Sequence, residues 1–129
     1  MLRTGILNPQ INSLLSRVRH TNTLVIADRG FPSWPQIETV DISLIDGVPT
    51  VVQVIQAIRM NFVIGRGFMA DEFLANNSGH TKSAFAEVME GIEMTYLPHG
   101  DLKKLVPGAI GLIRTGDTVQ YANMILVSA

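Results

Sequence analysis

Residues 20–30 read HTNTLVIADRG, a short apolar run with His20 before it and Asp28 closing it. An imidazole titrates near neutral pH and can deliver or remove a proton. A carboxylate just past the carboxyl end of a strand stands where open α/β sheets place their ligands. Each residue also has an ordinary reading. His20 falls at the end of a helix, where the dipole favours a cation and the side chain would be a cap. Asp28-Arg-Gly30 would be a plain turn after the strand. His99 precedes Gly100-Asp101 at the start of a short helix and would otherwise be a surface histidine. Tyr121 and Asn123 alternate in the last expected strand and so share one face. Two hydrogen-bonding side chains there suit a solvent-facing edge, or one that holds a sugar.

Other chemistries fail on spacing. Gly65-Arg-Gly67 lacks the third glycine and the helix start of a dinucleotide fingerprint. Gly79-His-Thr-Lys82 has the wrong order for a phosphate loop. His20, His80 and His99 have no metal-ligand spacing, so no metal is expected. With no cysteine, disulfide and thiol chemistry are excluded, which suits a reducing cytoplasm. No cofactor is expected.

The elements that must position these residues alternate. Asn8-Pro9 reads as N-cap and N1 of a helix. Ile11, Leu14, Leu15 and Val18 follow as one apolar stripe. A strand spans 23–27. Gly30 to Pro35 is loop, broken by Pro32 and Pro35. Val40, Ile42 and Leu44 alternate as a half-buried strand, and Pro49 opens a buried helix to about Arg59. Residues 62–68 are a strand candidate interrupted by Gly65 and Gly67. Ser78 or Thr81 caps a helix ending at Gly91, a strand covers 94–97, and a short helix runs from Gly100 to Val106. Residues 109–114 and 119–127 are strands joined by Thr115-Gly-Asp-Thr118, which reads as a hairpin. The whole is a three-layer α/β/α fold: a mainly parallel sheet with an antiparallel C-terminal edge hairpin.

With 129 residues the chain forms one domain, 1–129. A net charge of −1 gives no reason to expect nucleic acid or an anionic membrane as partner. The longest uncharged apolar stretch, 47–58, is too short to span a bilayer, and the start MLRTGILNP has no signal-peptide core. A cytoplasmic protein is expected. Charged residues make up 16%, against about 25% in a typical domain. So sparse a charge on so small a domain points to a homo-oligomer.

Taken together, the motifs resemble the ribose pyranase and fucose mutarotase family. The resemblance runs through nearly the whole chain in order. It covers Gly5-Ile-Leu-Asn8, His20-Thr21, Ile26-Ala-Asp28 with Pro32, Asp41-Ile-Ser-Leu44 and Gly47-Val-Pro49. It continues through Ala70-Asp-Glu72, His99, Ile113-Arg-Thr-Gly116 and Tyr121-Ala-Asn-Met-Ile-Leu126. It implies an isomerase that interconverts cyclic forms of a free monosaccharide without cofactor or metal. D-ribose is the first candidate, from the Ile-Leu-Asn start and the length; Phe31-Pro32 looks more like the fucose branch. The resemblance implies His20 as proton donor and Asp28, His99, Tyr121 and Asn123 as sugar-binding residues, in subunits assembled as a ring. Two positions depart from the family pattern: Arg19 where glycine is usual, and Arg29 where a small residue is usual. A cation beside His20 would disfavour its protonated form, which keeps open a non-catalytic sugar-binding protein or a structural oligomer with a relic pocket.

Geometry adds one expectation. The helix before the strand runs antiparallel to it, so His20 lies near one end of the strand and Asp28 at the other. Five or six extended residues span roughly 17–20 Å, more than a monosaccharide. His20 of one subunit is therefore expected to complete a pocket that holds Asp28, Tyr121 and Asn123 of its neighbour.

Overall fold

The computed structural model describes residues 1–129. Strand β1 (Thr23–Ala27) forms where the sequence predicts it, four of its five residues fully buried. Its side chains alternate between two cores. Leu24 and Ile26 pack beneath helices on one face, Val25 and Ala27 on the other. That alternation makes β1 central to the sheet.

In chain order the elements are α1 (Pro9–Arg17), β1, β2 (Glu38–Asp41), α2 (Val51–Arg59) and β3 (Ile64–Ala70). There follow α3 (Asp71–Asn76), α4 (Gly79–Val88), β4 (Glu93–Leu97), α5 (His99–Leu105), β5 (Gly111–Arg114) and β6 (Met124–Ser128). A 3-10 turn at Val106–Gly108 follows α5. Three of the five helices begin at a residue whose side chain satisfies a free amide. The Asn8 side chain accepts from Ile11 N at the start of α1. Thr50 and Gln53 form a reciprocal capping box on α2. That box places the start of α2 at Val51, two residues beyond the expected Pro49. Ser78 caps α4.

The six strands are ordered β2-β5-β1-β6-β3-β4. β1, β2 and β5 pair in parallel, as do β3 and β4. β6 runs antiparallel to both β1 and β3. Five strands therefore point one way and β6 alone opposes them. Helices α1, α2 and α4, with Phe73 of α3, cover one face. α5 and the 3-10 turn cover part of the other. The expected three-layer α/β/α class with a mainly parallel sheet is what the chain adopts.

The antiparallel C-terminal edge hairpin is not. β5 and β6 never touch as neighbours, because β1 lies between them, and β6 sits mid-sheet rather than at an edge. The connection from Thr115 to Asn123 is a structured loop instead of a turn plus strand. Asp117, 3% exposed, accepts from Val51 N at 2.8 Å through Oδ2 and from Val119 N at 2.8 Å through Oδ1. Tyr121 takes a left-handed φ of 56°, which ends any extended run. Tyr121 and Asn123 consequently precede β6 and do not alternate along one strand face.

Two smaller differences have local causes. β2 stops at Asp41 because that carboxylate accepts from both the backbone and the hydroxyl of Ser43, turning the chain. Residues 62–68 become a strand running on to Ala70, with Gly65 at an irregularity in its pairing with β6.

Candidate active site

Five parallel strands give the sheet a carboxyl edge, and the candidate residues collect there. Asp28 follows β1, Arg114 ends β5, Asp41 ends β2, Glu72 lies just past β3, and His99 lies just past β4. Because β6 is reversed, Tyr121 and Asn123, which precede it, arrive at the same edge. Open α/β sheets bind ligands at this edge.

Asp28 and Asn123 form a reciprocal pair. Asn123 Oδ1 accepts from the Asp28 backbone amide at 2.8 Å, and Asn123 Nδ2 donates to Asp28 Oδ2 at 3.1 Å. The Gly30 amide donates to Asp28 Oδ1 at 2.9 Å. Burial pushes the Asp28 carboxyl above its ordinary value; the bonds from Gly30 and Asn123 oppose the shift, and the Asp117 charge adds to it.

His99 opens α5. Pro98 offers no capping side chain, and Glu72 Oε2 accepts from the His99 amide at 2.9 Å instead. The His99 ring meets the Tyr121 ring edge-on, centroids 5.1 Å apart, and lies nearly parallel to Phe31 at 6.5 Å. Its Nε2 is buried with no hydrogen-bond partner. Burial lowers the His99 pKa, helped by Lys103 and opposed by Glu72 and Asp28. A neutral imidazole, a hydrogen-bonded carboxylate, an amide and a phenol thus converge, offering both donors and acceptors. Such a set suits a small polyhydroxylated ligand.

His20 is not among them. It is exposed and lies at the opposite edge, beside Thr21, whose amide donates to the carbonyl of Ser128 at the far end of β6. The five residues of β1 place about 17 Å between the two edges. The two departures from the family pattern have partners inside the chain. Arg19 Nη1 donates to Ser16 O at 2.6 Å, drawing the guanidinium back along α1. Arg29 pairs with Asp46.

An open cleft of about 550 Å³ lies on the thinly covered sheet face, lined by Thr21, Thr23, Arg66, Phe68, Ile125 and Val127 among others. Thr21 of its lining directly follows His20 in sequence, and none of Asp28, His99, Tyr121 and Asn123 lines it. The sequence reading missed the parts of Phe31, Glu72 and Arg114. Glu72 and Arg114 lie within the quoted motifs Ala70-Asp-Glu72 and Ile113-Arg-Thr-Gly116, the one available signal.

A domain of this topology, with polar side chains gathered at the carboxyl edge, belongs with small-ligand α/β proteins, and comparison with known proteins narrows the class. The chain belongs to the RbsD / FucU transport protein family, whose model matches residues 1–129. It is 36% identical over 128 residues to the D-ribose pyranase of Geobacillus kaustophilus, covering 99% of this chain and 93% of that protein. To the D-ribose pyranase of Laribacter hongkongensis it is 32% identical, covering 99% and 97%. Among solved structures, Bacillus subtilis RbsD complexed with D-ribose superposes with a TM-score of 0.92 at 30% identity, covering 100% of this chain and 98% of that one. The Streptococcus pneumoniae fucose mutarotase in complex with L-fucose gives 0.80 at 20% identity, covering 95% and 93%, a likeness of fold.

Proposed function

We propose that this protein is a D-ribose pyranase, interconverting the pyranose and furanose forms of free ribose by acid/base ring opening and reclosure. Two observations carry the reading. The likeness to D-ribose pyranases extends over essentially the full length, and the chain gathers at one edge a carboxylate, an amide, a phenol and an unsatisfied imidazole nitrogen.

The chemistry follows from the groups. Opening a pyranose requires a proton delivered to the ring oxygen and one removed from the anomeric hydroxyl. Asp28, fixed by Asn123 and Gly30, accepts hydrogen bonds from sugar hydroxyls. His99 and Tyr121 hold the ring between donor and acceptor positions. His20 supplies the proton to the ring oxygen, and the proton leaving the anomeric hydroxyl recharges it. The open aldehyde then recloses through a different hydroxyl. None of these steps uses a cofactor or metal.

His20 reaches the sugar from a neighbouring subunit of a homo-oligomeric ring. Its place at the opposite sheet edge favours this reading, as does the open cleft beside it. The Arg19 guanidinium is held on Ser16 O, drawn back along α1.

Saturation-transfer NMR on ribose tests the proposal by measuring exchange between ring forms. Wild type is expected to exchange them well above background, and His20→Ala to lose about 10²-fold or more. A wild type that binds ribose without accelerating exchange would overturn the enzyme reading in favour of a binding protein. Faster exchange on fucose than on ribose would reassign the substrate.

A further inference from the structure

Arg114 is half-buried at the end of β5, its side chain 14% exposed, and it is tied to two segments at once. Its Nε and Nη2 both donate to the carbonyl of Phe31, at 3.1 and 2.9 Å. Nη2 also donates to Ser33 Oγ at 3.2 Å, and Nη1 pairs with Asp41 Oδ2 at 2.9 Å. Asp41 is itself held by Ser43, and the Ser43 hydroxyl, then Arg114, keep its carboxyl below the ordinary value.

What this clamp grips is the floor of the site. Phe31 is 5% exposed, and its ring centroid lies 6.5 Å from that of His99 and 6.1 Å from that of Trp34. The segment from Asp28 to Phe31 is one tight turn. The Gly30 amide donates to the Asp28 carboxylate and the Phe31 amide to the Asp28 carbonyl. Moving the Phe31 carbonyl therefore displaces both the support of the His99 ring and a donor to Asp28.

We propose that Arg114 is a positioning residue for the sugar site, holding the 28–34 loop so that Asp28 and His99 keep their mutual geometry. The inference rests on the proposed function for its kinetic consequence and on the loop alone for its structural one. A guanidinium suits the task because its planar fork puts two donors on one carbonyl and a third on a carboxylate. An ammonium cannot reproduce this. Arg114 has no direct part in the proton transfers.

The test is Arg114→Lys in the full protein, read in three ways. Ring exchange of ribose by NMR is expected to fall about 10-fold or more, as small misplacements of reacting groups do. Fluorescence from Trp34, the single tryptophan, is expected to shift towards that of an exposed indole. The His99 ring protons, assigned by comparison with His99→Gln, are expected to move downfield as Phe31 leaves their face. A purely structural arginine would lower the unfolding midpoint and leave the last two signals in place. Unmoved Trp34 and His99 signals with exchange within about two-fold of wild type would overturn the inference and leave the enzyme reading intact. Absent exchange in wild type would sink the enzyme reading, and the two spectroscopic signals would still decide the role of Arg114. If Arg114→Lys does not fold, Asp41→Asn removes one arm of the clamp and is judged by the same three signals.

Discussion

Asp28 and His99 respond to burial in opposite senses, because the charged form of each is the one that burial disfavours. Asp28 in the folded protein holds its proton to higher pH than in the unfolded chain. Its contribution to stability is therefore fully present at low pH and is lost as pH rises through the folded value. His99 in the folded protein gives up its proton at lower pH than in the unfolded chain. Its contribution is present above the unfolded value and is lost as pH falls towards the folded one. Under the proposed function a further demand is added, since the ionised Asp28 carboxylate accepts more strongly from sugar hydroxyls than its protonated form. Exchange of ribose should accordingly fall on the acid side as Asp28 protonates. In Asn123→Ala that acid limb should move to higher pH, because the Asn123 amide is one of the bonds that favour the carboxylate. NMR exchange rates across a pH series measure both profiles, and superimposable acid limbs would show that Asp28 does not control the rate. Asp28, His99, Tyr121 and Asn123, which the fold gathers at one edge, and His20, which it leaves at the other, were singled out by residue type and motif. Phe31 and Arg114 were not, since their link runs through a backbone carbonyl, which every residue carries and no sequence pattern marks.

At the scale of elements, the segment between β5 and β6 carries most of the difference between expectation and structure. Thr115-Gly-Asp-Thr118 has hairpin composition, but composition cannot tell whether two strands pair or straddle a third. The buried carboxylate of Asp117 supplied no signal either, because its partner amide belongs to Val51, 66 positions away in sequence. β1 and the α1 stripe were legible because periodicity and a local cap determine them. Gly116 shows how tightly the segment is seated. A Cβ there would collide with the carbonyl oxygens of Ile45 and Val48. Both are backbone atoms, and the Gly116 amide donates to the Pro49 carbonyl. Gly116→Ala is expected to destabilise the protein by about 2–4 kcal/mol, measured by denaturant unfolding. A loss below about 0.5 kcal/mol would mean that the 45–49 segment yields freely.

For the molecule as a whole, the separation of His20 from Asp28 makes a claim that mixing can decide. Under the proposed function, each site takes Asp28 from one subunit and His20 from the next. His20→Ala and Asp28→Ala should each be inactive. Co-refolded in equal amounts, they should regain about one quarter of wild-type exchange, since one random neighbour pairing in four unites two intact halves. No recovery from verified mixed oligomers would place both residues in one subunit's site. No helix of this chain is long and apolar enough to cross a membrane.

The central position of β6 bears on how such a chain comes off the ribosome. Until Met124–Ser128 emerge, β2-β5-β1 and β3-β4 are two ribbons that share no ladder. Their facing edges, β1 and β3, stand open. The join is non-local, uniting residues near 24 and 67 with partners near 126, the kind of contact that forms slowly. Asn123 enters with that same strand and clasps Asp28 as the seam closes. The keystone of the sheet and the side chain that clasps Asp28 are neighbours in sequence. A nascent or partly folded chain therefore lacks its own half of the site until the sheet closes, and only a closed chain has that half to offer a neighbour.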